Sequence, residues 1–279
     1  MPKPVVSVVV PTRDRAGYLD VTLASLADQD FAEPYEVIVV DDGSRDSTAE
    51  VVRRHGTRSL VHDPPRGPNA ARNAGARVAE SDLIALVDDD VFAPRAWLRA
   101  LVEGARRHPE AHAFGGPIRA RFEGPAPRSC GRELPPITTL DLGPEDVETQ
   151  LVWSANMLLR RAALELAGGF DESLPTGGDE EEWLRRLAAH GGRVLYVADA
   201  AVDHRRVGGD ARLRSLMRGA YHRGYNLRRF DESHDKAPGV ASELRVLAGC
   251  GWHTVRRGCP QGLIMGAHSA GRLKRALGR

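Results

Sequence analysis

The stretch from Asp82 to Pro94, DLIALVDDDVFAP, takes five mostly apolar residues, Leu83 to Val87, straight into three consecutive carboxylates, Asp88, Asp89 and Asp90. A short apolar run bounded in this way reads as a buried strand. Three like charges at its end repel one another unless water or a cation separates them. Taken alone, the triplet is either a solvated turn or a place where something positively charged sits. What the neighbouring segments deliver to the same edge decides between the two.

VVSVVV, beginning at Val5, and YEVIVV, beginning at Tyr35, are near-continuous valine-rich runs. Such runs suit strands buried on both faces of a parallel sheet. Between them Leu19, Leu23 and Leu26 recur at helical spacing. After the second run, Ser44, Asp46 and Ser47 are helix-start residues and Gly56 is a stop signal. A shorter patch, Leu60 and Val61, precedes a small-residue helix over 69–79, and then comes the LIALV strand. This alternation predicts an open α/β sandwich. Trp97, Leu98, Leu101 and Val102 form a further helical stripe, AHAFGGPI and RVLYV read as strands, and Glu181 to His190 reads as a helix closed by Gly191. The segment from Arg119 to Gln150, rich in proline, glycine and charge, shows no sustained period and reads as a functional or disordered loop.

Across 279 residues, 42% hydrophobic and 28% charged content is that of a soluble globular protein. The net charge of +1 hides an asymmetry: residues 211–279 contain 14 Lys or Arg against 4 Asp or Glu, and the remainder is acidic. That divides the chain into a body, 1–210, and a basic, partly helical extension, 211–279, facing an acceptor, an anionic membrane surface or a second copy. Trp252, with Leu244, Val246 and Leu247 among arginines, reads as helix packing or as a peripheral membrane helix. Three cysteines, Cys130, Cys250 and Cys259, form no C-x-x-C pair, so neither a disulfide framework nor a structural zinc site is expected. A reducing cytoplasm fits that usage. The amino-terminal apolar run ends in Pro11 and charge with no cleavage signal, so it reads as a strand rather than a leader. No run approaches the roughly 18–20 apolar residues of a membrane span.

Ligands of open α/β sheets bind at the carboxyl ends of the strands. Here the strands are followed by PTRDR, DDGS and DDD, a rim of donors and acceptors. No G-x-x-x-x-G-K-[ST] loop is present and no G-x-G-x-x-G follows the first strand, which removes support for nucleoside triphosphatase and dinucleotide-binding readings. Carboxylates cannot contact phosphate directly, and a divalent cation between Asp88, Asp90 and a pyrophosphate resolves that conflict.

VSVVVPTRDR, EVIVVDDGSRDST, ARNAG, LVDDDV and GGDEEEWLRRL, in this order, resemble the family 2 glycosyltransferases of the A-type nucleotide-sugar fold, over about Val5 to Arg206. The resemblance implies a single Rossmann-like domain, with a mixed, mostly parallel sheet flanked by helices. It implies transfer of a sugar with inversion from a nucleotide sugar, a UDP-sugar first, to a hydroxyl acceptor. Pro11, Thr12, Arg13 and Arg15 are expected to line the nucleoside pocket, Asp41 or Asp42 to accept from the base, and Arg72 to lie near the base or diphosphate. Asp88 and Asp89 complete the nucleotide-sugar set. Asp90, Asp88 and His204 are the implied ligands of Mn²⁺ or Mg²⁺. Glu180 stands at the position of the general base, with Asp179 as the alternative; Glu181 and Glu182 add ambiguity. If the chain stays extended, Asp88 and Asp90 point the same way and Asp89 elsewhere, so Asp89→Asn is expected to be the mildest change of the three. The acceptor class is open between an envelope or lipid-linked glycan and a secondary metabolite; no nucleic acid is implied, and a homodimer is open. The rival readings are a sugar nucleotidyltransferase, for which PTRDRAGY is a poor loop, and a non-catalytic sugar-binding module.

Overall fold

The computed structural model describes residues 3–131, 135–174, 178–233 and 236–278; the Gly177 of the GGDEEEW motif lies outside them. In chain order the strands are β1 (Val6–Thr12), β2 (Tyr35–Asp41), β3 (Arg58–Val61), β4 (Leu83–Leu86), β5 (Val91–Phe92), β6 (Ala113–Gly115), β7 (Ile118–Glu123), β8 (Val147–Thr149), β9 (Met157–Arg160), β10 (Val194–Tyr196) and β11 (Val202–Val207). The α-helices are α1 (Ala16–Ala27), α2 (Thr48–His55), α3 (Pro68–Val78), α4 (Trp97–Arg107), α5 (Arg161–Ala167), α6 (Asp179–Ala189), α7 (Leu213–Ser233), α8 (Val240–Arg257) and α9 (Gln261–Leu277). Part of the Arg119–Gln150 segment is therefore sheet: β7 and β8 are short, and of their residues only Ile118 is buried, so they leave little hydrophobic period to read.

The chain divides into two compact units. The first comprises Met1–Arg119, Leu140–Ser173 and Asp179–His204; the second comprises Ala120–Thr139, Leu174–Gly178 and Arg205–Arg279. In the first, eight strands form a mixed sheet in the order β3-β2-β1-β4-β9-β6-β10-β8, parallel through its first four members. A small sheet is ordered β5-β11-β7. Successive side chains of a strand face opposite ways. Val8 and Val10 accordingly join a core with Leu19, Leu23, Leu26, Val51 and Trp97, while Val9 joins one with Ala71, Ala74, Trp183 and Leu187. Helices α1, α2 and α4 thus cover one face of the sheet and α3, α5 and α6 the other, which is why the valine runs are apolar throughout.

The second unit is helical. Ile137, Leu216, Ala220 and Ile264 form its small apolar core. Helices α7 and α9 approach closely where Gly224 and Gly271 lack a Cβ: one built on either would collide with backbone carbonyl groups of the facing helix. Beside them lies an ionic network, in which Arg272 contacts Asp231 at 2.8 Å and Glu243 at 2.5 Å, and Arg228 reaches Glu232 at 3.2 Å. Among the described residues, no helix is long and apolar enough to cross a membrane.

Candidate active site

The strand order reverses between β1 and β4, the position at which open α/β sheets bind ligands. The register pairs Thr12 with Asp41, and the Val87 amide bonds to the Val9 carbonyl, so Thr12, Asp41 and the DDD triplet emerge at one edge. The triplet does not stay extended. The Val91 amide donates to the Asp88 carbonyl at 3.3 Å, closing a turn over Asp89 and Asp90. That turn corrects the expectation that Asp89 points away from its neighbours. Arg15 donates from Nη1 to Asp89 Oδ1 and from Nη2 to Asp90 Oδ2, each at 2.8 Å, so one guanidinium spans both carboxylates. The Thr12 hydroxyl donates to Asp89 Oδ2 at 2.7 Å. Asp89 and Asp90 are 4% and 2% exposed. Burial pushes the Asp89 carboxyl up to about 7, with Arg15 pulling the other way. Burial works against the Arg15 charge, but Asp90 and Asp89 outweigh it and raise its pKa.

His204 reaches this cluster through strand pairing. Antiparallel β11 and β5 set His204 opposite Val91, one residue beyond Asp90. His204 Nε2 then lies 3.2 Å from Asp90 Oδ1, with both side chains buried.

A second cation orders the other carboxylates. Arg72, buried in α3, donates from Nη2 to Asp88 Oδ1 at 3.2 Å, and from Nη1 to Asp179 Oδ2 at 3.2 Å and Asn69 Oδ1 at 3.0 Å. Arg72 therefore holds the first aspartate of the triplet against the start of α6. There the four-carboxylate run resolves by helical geometry. Glu181 and Glu182 pair with Arg185 and Arg186, four residues on, as ordinary helix-surface ion pairs. Asp179 is buried, and Glu180 Oε1 accepts a hydrogen bond from the Ser154 hydroxyl at 2.6 Å. Burial, then the charge of Asp179, raises the Glu180 pKa, while Arg72 and Ser154 oppose the rise.

The remaining expected residues form the rim beside β2. Asp42 accepts from the Arg66 amide at 2.7 Å and the Gly67 amide at 2.9 Å, with His62 Nδ1 at 2.9 Å. Burial raises its pKa, but these hydrogen bonds outweigh that and hold it below the usual carboxylate range. Asp41 Oδ1 accepts from the Ser44 amide at 2.9 Å. Asp14, at a left-handed φ of 52°, accepts from the Arg45 amide, and its own amide donates to Ser44 Oγ, tying the PTRDR and DDGS loops together. Pro11 is buried in β1; Arg13 is exposed, 3.8 Å from Asp14, and stands apart from the carboxylate cluster. Ser154 and Asn69 escaped the sequence reading. The signal for Ser154 is faint, a polar residue just before the apolar strand in WSANMLL.

Residues 7–167 match the family described as "Glycosyl transferase family 2". The chain belongs to this family. It is 33% identical over 220 residues to a validoxylamine A glucosyltransferase of Streptomyces hygroscopicus subsp. jinggangensis, covering 67% of this chain and 52% of that protein. It is 33% identical over 211 residues to a pre-mycofactocin glycosyltransferase of Mycobacterium tuberculosis, covering 72% of this chain and 43% of that one. The chain thus spans about half the length of these curated relatives. Among solved structures it is similar to the mannosyltransferase PcManGT of Pyrobaculum calidifontis in complex with GDP-Man and Mn²⁺, with a TM-score of 0.67 at 17% identity, over 99% of this chain and 88% of that one. It is also similar to residues 1–349 of S. aureus TarS in complex with UDP-GlcNAc, with a TM-score of 0.57 at 18% identity, over 98% and 92% of the two chains. These likenesses show the fold, the one expected from the resemblance.

Family 2 membership raises the question of a divalent metal, and the side chains can be tested for it. In an octahedral site with bonds near 2.1 Å, adjacent donors lie about 3 Å apart. Asp90 Oδ1 and His204 Nε2, 3.2 Å apart, fit two adjacent positions. Asp88 is engaged elsewhere, by Arg72. Among the described residues, Asp88, Asp90 and His204 do not bring three donor atoms within 4.8 Å of one another.

Proposed function

We propose that this chain transfers a sugar from a nucleotide sugar, a UDP-sugar first, to a hydroxyl of an acceptor with inversion at the anomeric carbon. The observation that carries the reading is the buried carboxylate set at the strand ends, tied to Arg15, Arg72 and His204. Charges buried in this way cost stability unless fully paired, and their concentration at a ligand edge marks a working site. Pro11, Thr12, Arg13, Asp41 and Asp42 form the nucleoside side of the pocket. Arg15, Arg72, Asp88 and Asp89 position the groups around the sugar and diphosphate. Asp90 and His204, with Asp88 as the third candidate ligand, would hold Mn²⁺ or Mg²⁺, which would supply stabilisation of the charge on a departing nucleoside diphosphate. The matched structures containing Mn²⁺ with GDP-Man, and UDP-GlcNAc, support a metal and a nucleotide sugar; the glucosyltransferase relative supports a glucosyl donor.

Glu180 takes the acceptor's hydroxyl proton. The freed oxygen forms its bond to the anomeric carbon as the bond to the diphosphate oxygen breaks, and the electron pair leaves with the nucleoside diphosphate. Glu180 is favoured over Asp179 because Asp179 is hydrogen-bonded to Arg72, whereas Glu180, though it also feels the Arg72 charge, accepts its hydrogen bond from the Ser154 hydroxyl and has its basicity raised by burial. The body to residue 210 binds the donor, and the extension from 211 serves the acceptor side.

The test uses release of nucleoside diphosphate from a panel of UDP- and GDP-sugars with Mn²⁺. Glu180→Gln is expected to bind the preferred donor as the wild type does and to lose about 10²–10⁴-fold in turnover. Full turnover in that variant contradicts the assignment and moves the base to Asp179. A panel in which no nucleotide sugar binds contradicts the whole reading.

A further inference from the structure

The second unit gathers another set of side chains of metal-ligating type. Cys130 comes from the irregular segment after β7, His253 from the last turns of α8, and Cys259 from the corner between α8 and α9. Gly258 makes the corner: it ends α8 in the left-handed conformation at φ 58°, so the chain turns back with Cys259 buried. Cys130 Sγ lies 3.5 Å from His253 Nε2. The donor atoms of all three residues lie within 4.8 Å of one another, and none of the cysteines is in a disulfide.

These distances have a chemical meaning. A tetrahedral zinc ion with Zn–S near 2.3 Å and Zn–N near 2.0–2.1 Å sets its sulfur and nitrogen ligands about 3.5 Å apart and its two sulfurs about 3.8 Å apart. The Cys130–His253 separation already matches such an edge. Two thiolates and an imidazole are soft to borderline donors, which select Zn²⁺ over Mn²⁺ or Mg²⁺. We propose that Cys130, His253 and Cys259 bind one zinc ion, with water or an added ligand in the fourth position. Among the described residues no fourth Cys, His, Asp or Glu joins the group. Binding deprotonates both thiols, releases two protons and leaves the two thiolate charges balanced by the metal. The ion clips a loop spanning 123 residues, and a constraint on so long a loop removes much unfolded-chain entropy. Its task is to hold the segment around Cys130, which lacks strand or helix bonding, against the α8–α9 corner.

The test uses the full chain, purified under reducing conditions without chelator or added metal. Elemental analysis is expected to find about one zinc per chain, and exchange for Co²⁺ to give the thiolate-to-cobalt charge-transfer and tetrahedral ligand-field bands. Cys130→Ser, Cys259→Ser and His253→Ala are each expected to lose these bands and most of the zinc, whereas Asp90→Ala keeps both. In the wild-type chain, zinc is expected to slow alkylation of Cys130 and Cys259 relative to Cys250, and chelation to reverse the effect. The proposal is overturned by a chain without stoichiometric zinc that gives no thiolate–cobalt spectrum. Metal content that survives in both cysteine variants, or unchanged alkylation of the wild type on chelation, also overturns it.

Discussion

Asp89 and Asp88 are adjacent in sequence and differ sharply in surroundings. Asp89 is buried under Thr12 and Arg15, and the Thr22 hydroxyl also caps its carbonyl at 2.6 Å. The Asp88 side chain is 31% exposed and pairs with Arg72. Asp89→Asn is therefore expected to lower the unfolding free energy by about 1–3 kcal/mol, the cost of leaving a buried Thr12 or Arg15 donor poorly paired, and Asp88→Asn by less than about 1 kcal/mol. Urea denaturation of the two variants measures this; equal costs contradict it. With Glu180 as the proposed base, its ionisation adds a pH dependence to that of the Asp89 carboxyl, whose pKa lies at about 7. The raised pKa of Glu180 keeps it protonated further above the ordinary glutamate range, and the base must be ionised, so kcat/KM climbs as pH rises through that raised value. Asp179→Asn removes a neighbouring negative charge, lowers the Glu180 pKa and is expected to shift the climb to lower pH; a shift to higher pH contradicts the account. The sequence displayed all of these carboxylates but not their partners. Which oxygen meets which guanidinium depends on the turn over Asp88–Val91, and three identical residues carry no local signal for it.

At the scale of elements, long apolar runs and helical stripes were readable because both faces of the main sheet are covered, and each strand end then announced a polar rim. The same logic hides β5, a two-residue strand that nonetheless matters, since its pairing with β11 brings His204 from more than a hundred residues away to Asp90. Close packing of α3 is another silent feature. A Cβ at Gly75 would overlap Val9 Cγ1 and lie 3.2 Å from Val40 Cγ2, so the helix rests directly on β1 and β2. Gly75→Ala is expected to cost about 1–3 kcal/mol by overpacking. Because α3 also carries Arg72, donor affinity is expected to fall in the same variant. Gly17→Ala, in α1 with nothing within 4 Å of the new methyl, is expected to be neutral or stabilising by up to about 1 kcal/mol. Thermal and urea unfolding of the pair separates the two cases, and similar behaviour of both contradicts the packing argument.

For the whole molecule, charge asymmetry was legible while its use was not. Arg228, Arg272 and Arg275 of the basic extension pair with Asp231, Glu232 and Glu243 within the helical unit, which takes up three of its four carboxylates and leaves its net positive charge undiminished. Nor does any local pattern in residues 120–139 signal that they belong with the C-terminal helices, because that grouping is made by contacts distant in sequence. The carboxylate-rich edge was readable because its motifs sit at strand ends; the second unit has no such rule. Calorimetric titration of UDP into wild type and Asp90→Ala, each with Mn²⁺ and again after chelation, tests the central claim most directly. The expected result is binding by the wild type that needs the metal and weakens at least about tenfold, or about 1.4 kcal/mol, in the variant. Equal affinity in all four titrations, or no binding by the wild type with metal, contradicts it.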